Sequence, residues 1–396
     1  MKNVKSVLCV LLTIVISLGF TVQAFAANIS TGNMVDNNDI EEILSENFGL
    51  MLDSVLRRDE MYGISAEDFD GFAILNPVSF STFYEEPDDL VSVLHFPIAD
   101  KTGEICLIYD VIFTSNGYST TIGADFAPLL NSLYKDGIKN IVLIQDENTF
   151  YAVSNSVGFI QQGSNIASMT NSDFEKMLAY NINLDTMETS SLTVNAKFST
   201  LAENSFSTYI TDKMETNSSA VIGTKSLNNY PIVNQVVDGK QYGLCWAATV
   251  ASIVRFEKPS QYGNLTAKNV ADYMGIGYDD GGTNSEAKEA LEHYLGSPYV
   301  PTIKNAILTQ EQIKTAIDNI DPAFMQCRRP NGFLSYKYHA VALTGYDFTS
   351  NYTRIEIMDP AYACFKYCTM DSGGNWTFAL GSYTYTWIKT IRLLYS

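Results

Sequence analysis

The sequence predicts an α+β protein of two folded units: an acidic α+β first unit, then a unit in which helices come first and an antiparallel sheet follows. Three observations carry this. The chain has 396 residues, 46% of them hydrophobic, which is ample for more than one packed core and excludes a largely disordered protein. The formal charge of -19 is uneven, with 29 Asp and Glu against 8 Lys and Arg in residues 28–221 but 15 of each in residues 222–396. Such asymmetry marks separate units, and an excess of acid argues against a nucleic-acid partner, which would meet a basic face. Finally, strand-like runs dominate the first half, whereas helical spacing precedes strands in the second.

Residues 1–27 read as an export signal. Lys2 and Lys5 precede an apolar run from Val7 to Phe20, and Ala24-Phe25-Ala26 sets small residues where a signal peptidase needs them. Cleavage is expected after Ala26 or Ala27, giving a secreted, extracellular product. The run is about 14 residues, short of the roughly 20 that span a bilayer, so no membrane attachment is expected after cleavage. Residues 28–195 form the acidic α+β unit. Asp39 to Arg57 places Ile40, Ile43, Leu44, Met51, Val55 and Leu56 near helical spacing. Leu90 to Pro97 and Glu104 to Thr114 read as strands, Phe126 to Tyr134 as a short helix, and Asn140 to Gln145 with Thr149 to Ser154 as a strand pair across the turn at Asp146, Glu147 and Asn148. Sequence rich in Ser, Thr and Asn, with little periodicity, marks residues 196–226 as a linker open to proteolysis.

In residues 227–396, helices are predicted at Cys245 to Phe256, Thr266 to Met274, Asn284 to Leu295 and Gln310 to Ile320, the last opened by Thr309 and Gln312 in capping-box spacing. Strands follow at Ala323 to Arg328, Tyr338 to Tyr346, Tyr352 to Met358, Ala363 to Thr369 and Tyr383 to Leu394. A helical lobe followed by a sheet lobe implies a cleft between them.

Five cysteines remain after the signal is removed, so at least one thiol is free and is a candidate nucleophile. Cys364 and Cys368 cannot bond to each other on one extended strand, where they stand roughly 13 Å apart; the pairing of Cys327, Cys364 and Cys368 is otherwise open. No metal or cofactor is expected, because neither Cys-x-x-Cys nor His-Glu-x-x-His occurs. Cys245 follows a polar, Gly-containing loop and opens a helix, where unpaired backbone amides and the helix dipole favour an anion. A thiol nucleophile also needs a base, and the chain has only His95, His293 and His339. His293 lies in a polar helix and His95 in the acidic unit. His339 opens an apolar strand, and the next strand ends at Asp359. A hairpin centred near Thr349 sets these two opposite each other, with Cβ atoms about 4.5 to 5.5 Å apart, so that Asp359 could hold the imidazole tautomer. Asp347 then falls at the hairpin tip, out of reach.

With these residues in place, residues 222–396 resemble papain-like cysteine proteases of the compact bacterial kind, similar to the staphopains. The resemblance rests on a glutamine, then Cys245-Trp246-Ala247-Ala248 opening a helix, His339-Ala340-Val341 opening a strand, and Asp359 after the following strand, in the family's chain order. It implies a two-lobed papain-like catalytic domain over residues 227–396, a Cys245–His339–Asp359 triad, and a protein or peptide substrate. It also implies a zymogen, with residues 28–195 as an intramolecular inhibitor and cleavage within residues 196–226 releasing the active enzyme. The family places an oxyanion-hole glutamine a short, fixed distance before the nucleophile. Here Gln241 is four residues ahead and Gln235 ten. Pro231-Ile232-Val233-Asn234-Gln235 resembles the family's approach, which favours Gln235 with residues inserted after it; Gln241 is the alternative. A transglutaminase-type acyltransferase uses Cys, His and Asp in the same order and would pass the acyl group to an amine. A peptidoglycan amidase is less suited, since no second histidine follows His339. A non-catalytic secreted interaction domain on the same scaffold is the alternative outside enzymes.

Overall fold

A computed structural model of the chain describes residues 37–82, 93–147, 149–154, 157–179, 189–215, 221–331, 335–349 and 353–395; the expected export signal lies outside them. The first half contains helix α1 (Asn37–Leu56), strands β1 (Val93–Ala99), β2 (Ile105–Thr114) and β3 (Gly117–Gly123), and helix α2 (Ala127–Tyr134). Strands β4 (Asn140–Asp146), β5 (Thr149–Ser154), β6 (Val157–Gln162) and β7 (Asn165–Ser168) follow, then helices α3 (Asn171–Ala179) and α4 (Ala196–Glu215). Strands β4 to β7 form an antiparallel meander in a separate six-stranded sheet, and β1 to β3 form a second meander.

Helix α4 corrects the expectation of a linker over residues 196–226. Its inward stripe is Phe198, Ala202 and Ser205, which pack on α1; the Gly49 amide of α1 donates to Ser205 Oγ at 3.1 Å. With Ser199 also buried, three of the four buried positions are small or hydroxyl-bearing, so the helical period was invisible to a search for large apolar side chains. The end of the expected linker is also ordered, as strand β8 (Val221–Ser226), which pairs with residues Gly345 to Thr349 of a long strand in the second half.

The second half then runs helix α5 (Cys245–Glu257), α6 (Ala267–Met274), α7 (Asn284–Leu295), strand β9 (Tyr299–Lys304) and helix α8 (Gln310–Asp318). Strands β10 (Ala323–Pro330), β11 (Tyr336–Thr349), β12 (Thr353–Asp359), β13 (Cys364–Thr369), β14 (Thr377–Leu380) and β15 (Tyr383–Tyr395) complete it. The expected capping box at Thr309 and Gln312 forms, as do equivalent boxes at Thr266 with Asn269 and Thr283 with Glu286, each fixing a helix start. The helices precede and cover the antiparallel strands, so this half has the predicted helix-then-sheet, α+β architecture.

The two halves share one sheet. β3 pairs antiparallel with β13, setting Gly123 opposite Lys366, Ile122 opposite Tyr367 and Thr121 opposite Cys368. A single 12-stranded sheet therefore runs from the first meander through β13, β12, β11, β10 and β15 to β9, over one continuous hydrophobic core. The joint is close: a Cβ on Gly123 would stand 2.8 Å from the carbonyl oxygen of Phe365.

Charge reinforces the joint. Arg57, at the end of α1, pairs with Asp347 of β11, which also accepts from Arg354 Nη2 at 2.7 Å, Ser54 Oγ at 3.1 Å and Thr224 Oγ1 at 2.8 Å. Asp347 is thus not at a hairpin tip; it stands opposite Arg354 within the ladder and faces the first half. Burial alone would push its carboxyl up, but Arg354 and Arg57 hold it below the usual carboxylate range. Next to it, Arg58 Nε lies 3.5 Å from the buried Glu356 Oε1, and Arg58 Nη2 donates to the Leu227 carbonyl at 3.1 Å.

Filling the joint at Gly123 should loosen it. Gly123→Val is expected to destabilise the intact chain by about 1–3 kcal/mol in denaturant unfolding, the range for forcing an extra side chain into a packed site, and to raise its susceptibility to limited proteolysis. An unchanged midpoint would mean the β3–β13 pairing contributes little.

Candidate active site

The site is built on the first turn of α5 and the start of β11. Cys245 is the first residue of α5, partly exposed, while the eight residues from Trp246 to Ile253 behind it are buried. Thr249 Oγ1 donates to the Ala340 carbonyl at 3.1 Å, pinning the helix one turn beyond Cys245 to the strand one residue beyond His339. This contact fixes the two functional side chains relative to each other.

His339 is buried. Its Nε2 donates to Asp359 Oδ1 at 2.8 Å, which leaves Nδ1 for the thiol, and the Cys245 side chain acts on it by hydrogen bond and charge. The rings of Tyr385 and Phe378 stand 5.4 and 6.1 Å from the imidazole. The pairing was reached through a different register from the expected one. Ala342 faces Met358 and Leu343 faces Ile357, then a bulge at Thr344 shifts the ladder so that Gly345 faces Glu356. Extending the first register puts Asp359 beside Val341, so His339 is its diagonal neighbour on the same face. A diagonal separation of about 7–8 Å between Cα atoms is within reach of a long side chain.

Asp359 is wholly buried. Besides His339 it accepts from the Ala361 amide at 2.9 Å on the same oxygen, and Lys366 Nζ lies 3.3 Å from its other oxygen. Burial would raise its carboxyl, but Lys366 and His339 hold it well below the carboxylate range. Burial likewise lowers the proton affinity of His339, and Asp359, together with Cys245, more than reverses this, raising it to about 10.

The two glutamines differ sharply. Residues 236–241 fold into a small hairpin, Val236 opposite Gln241 and Val237 opposite Lys240, with Asp238 and Gly239 at φ of 50° and 79° in a two-residue tip. The Tyr242 amide then donates to the Gln235 carbonyl at 3.3 Å. The hairpin takes up the residues between the two glutamines, and the hydrogen bond that closes it sets the Gln235 backbone beside Tyr242, three residues before Cys245. The Gln235 amide group is buried and neither its nitrogen nor its oxygen has a partner among the described residues. Gln241 is committed: its oxygen accepts from the Gly163 amide at 2.6 Å and its nitrogen donates to the Ala361 carbonyl at 3.2 Å.

The other histidines stand elsewhere. His95 is buried against Asp110 at 2.7 Å, and His293 stacks on Tyr273 at 3.8 Å. Among the described residues the five cysteines are all free, and no group of His, Cys, Asp or Glu could hold a metal ion. No helix among the described residues is long and apolar enough to cross a membrane. Sequence reasoning missed Lys366; a lone charge in the apolar run Cys364-Phe365-Lys366-Tyr367-Cys368 was the available signal.

Residues 227–387 match the model of the Peptidase_C39 like family. The structure of digestive procathepsin L 3 from the larval midgut of Tenebrio molitor is similar at 11% identity, over 47% of this chain and 80% of that one, with a TM-score of 0.26. No curated protein matches the chain. The span matched by the family model contains Gln235, Gln241, Cys245, His339 and Asp359.

The charge around His339 has a direct spectroscopic consequence. In the intact chain its imidazole should keep its proton through neutral pH and lose it near pH 10, instead of near the ordinary 6.5. Histidine-selective NMR titration measures this, and titration near 6.5 would mean that Asp359 does not hold the ring.

Proposed function

We propose that this chain is the precursor of a secreted cysteine endopeptidase, in which Cys245, His339 and Asp359 act as the triad and Gln235 as the oxyanion-hole side chain. The observation that carries the reading is the buried His339 imidazole held between the Asp359 carboxylate and a thiol on the first turn of a helix. The match of residues 227–387 to a peptidase family supports it.

The mechanism follows from the geometry. Cys245 Sγ, paired with the His339 imidazolium, adds to the peptide carbonyl carbon, and the electron pair moves to the carbonyl oxygen. In this reading the Gln235 amide and the Cys245 backbone amide receive that oxyanion; the first is supported by its having no partner among the described residues, the second by the unpaired amides of a helix start. As the tetrahedral species collapses, the C–N bond breaks and His339 gives its proton to the leaving amine. The neutral imidazole then takes a proton from water, whose oxygen attacks the thioester carbon; the C–S bond breaks, the acid product leaves, and the Cys245 thiolate and His339 imidazolium are restored. Asp359 keeps the ring aligned throughout. Hydrolysis rather than acyl transfer to an amine is favoured by the family match; amine incorporation exceeding hydrolysis would reverse that preference.

Residues 28–195 are read as the inhibitory prodomain and the region from 196 to 226 as the place of activation cleavage. Residues 216–220, between α4 and β8, are outside the described residues. Three contacts of the prodomain near the site support its role: Gly163 on Gln241, Phe150 stacked on Tyr362 at 4.6 Å, and Gln145 Nε2 donating to the Leu380 carbonyl at 3.0 Å.

Two substitutions test the assignment. Cys245→Ala should abolish peptide hydrolysis by the processed protein, and retained turnover would sink the proposal. Gln235→Ala should lower kcat by about 10²–10³, the usual loss for one oxyanion donor, whereas Gln241→Ala should leave kcat within a few-fold. The reverse order would move the oxyanion role to Gln241.

A further inference from the structure

Lys366 takes no part in the mechanism above, yet it is the fully buried ammonium nearest the triad. It donates to the Ala379 carbonyl at 2.9 Å, lies over the Tyr362 ring at 4.7 Å, and sits between two carboxylates. One is Asp125 of the first half, in direct ion pair; the other is Asp359, at 3.3 Å. Asp359 Oδ1 already accepts from His339 and from the Ala361 amide, while Lys366 is the only partner of Oδ2 among the described residues. The ammonium therefore fixes the plane of the carboxylate that orients His339, and a buried carboxylate oxygen without it would be an uncompensated charge.

Resting on the cysteine-peptidase reading, we propose that Lys366 is a positioning residue of the active site and that the N-terminal unit regulates it through Asp125. While that unit is docked, Asp125 and Asp359 share one ammonium. When it leaves, the ammonium belongs to Asp359 alone, so processing changes the charge around His339 without moving any residue of the triad.

The groups that face this network are few. From the first half come Asp125 and, farther off, Asp110 of β2; from β13 itself come the Cys364 and Cys368 thiols, and the Tyr362 phenol lies against Lys366, all three pushed up by burial and so neutral; beyond Asp359 lie His339 and Cys245. The Cys327 thiol stands opposite His339 in the ladder, and burial pushes it up, so it stays neutral. With Asp359 ionised and Lys366 charged, Asp125, whose carboxyl burial pushes up to about 7, is the negative charge that the docked state adds above that pH, where His339 titrates, and that the released state lacks. Its loss lowers the proton affinity of His339; loss of the Lys366 charge raises it.

The experiment uses the full-length chain carrying Cys245→Ala, verified by mass to be uncut, and follows the His339 ring by histidine-selective NMR across pH. Adding Asp125→Asn should move the His339 titration down by about one pH unit, and adding Lys366→Met should move it up by a similar amount. A lysine that only fills space would leave both titrations unmoved. If Lys366→Met does not fold, Asp125→Asn, which preserves shape, decides by itself: no downward shift overturns the proposal. The readout does not involve turnover, so failure of the peptidase reading would appear separately, as absence of hydrolysis by the processed wild-type protein.

Discussion

The structure depends on keeping a small set of charges paired out of water where two halves of one chain meet. Lys366, Asp359 and Asp125 are all but excluded from solvent, and each is tolerable only because the others are present. The same holds beside them for Asp347 with Arg57 and Arg354, and for Glu356 with Arg58. In every case the second half contributes buried carboxylates or an ammonium on its central strands, and the first half brings the complement. Breaking such a pair by removing one partner costs about 3–5 kcal/mol. The second half's part of the sheet is thus built to be covered, and covering it sets the first half's Asp125 against Lys366, which supports the carboxylate that holds His339.

The form of the joint explains its reach. A loop laid across a cleft would touch the site locally, whereas a strand added to a sheet edge commits a whole ladder. β3 on β13 brings Gly123 and the following Asp125 to Lys366, and the meander behind it carries Gly163 to Gln241 and Gln145 to the turn after β14. Contact is made on both sides of His339: at the loop before Cys245 and at the strands that carry Asp359 and the aromatic wall. Cys245 itself stays partly exposed, so the first half bears on the residues around the thiol and His339 more than on the thiol.

Much of this was legible in the sequence, and the misses have physical causes. Helix α5 announced itself through a polar loop ending at Cys245 followed by an unbroken apolar run, and α8 through its capping box. His339 and Asp359 were paired from strand spacing alone, but through the wrong register, because a bulge at Thr344 carries no mark in residue type and a diagonal contact serves a long side chain as well as a direct one. Helix α4 was hidden by its small and hydroxyl-bearing inward face. The shared sheet was hidden by a deeper cause: which edges pair is decided by long-range complementarity, and the even charge of residues 222–396 concealed that its buried carboxylates and lysine await partners from elsewhere.

That last point changes what the charge asymmetry means. An acidic first half beside a neutral second half suggests two independent bodies, but the contacts that join them are not acid meeting base in bulk. Arg57 and Arg58 of the acidic half meet carboxylates of the neutral half, and Asp125 meets its lysine. Most of the surplus acid lies away from these pairs, where it keeps the docked unit hydrated and repelled from copies of itself. The joint is specified by a few buried charges of both signs, and the lysine among them is shared between a carboxylate of the first half and the carboxylate that holds His339.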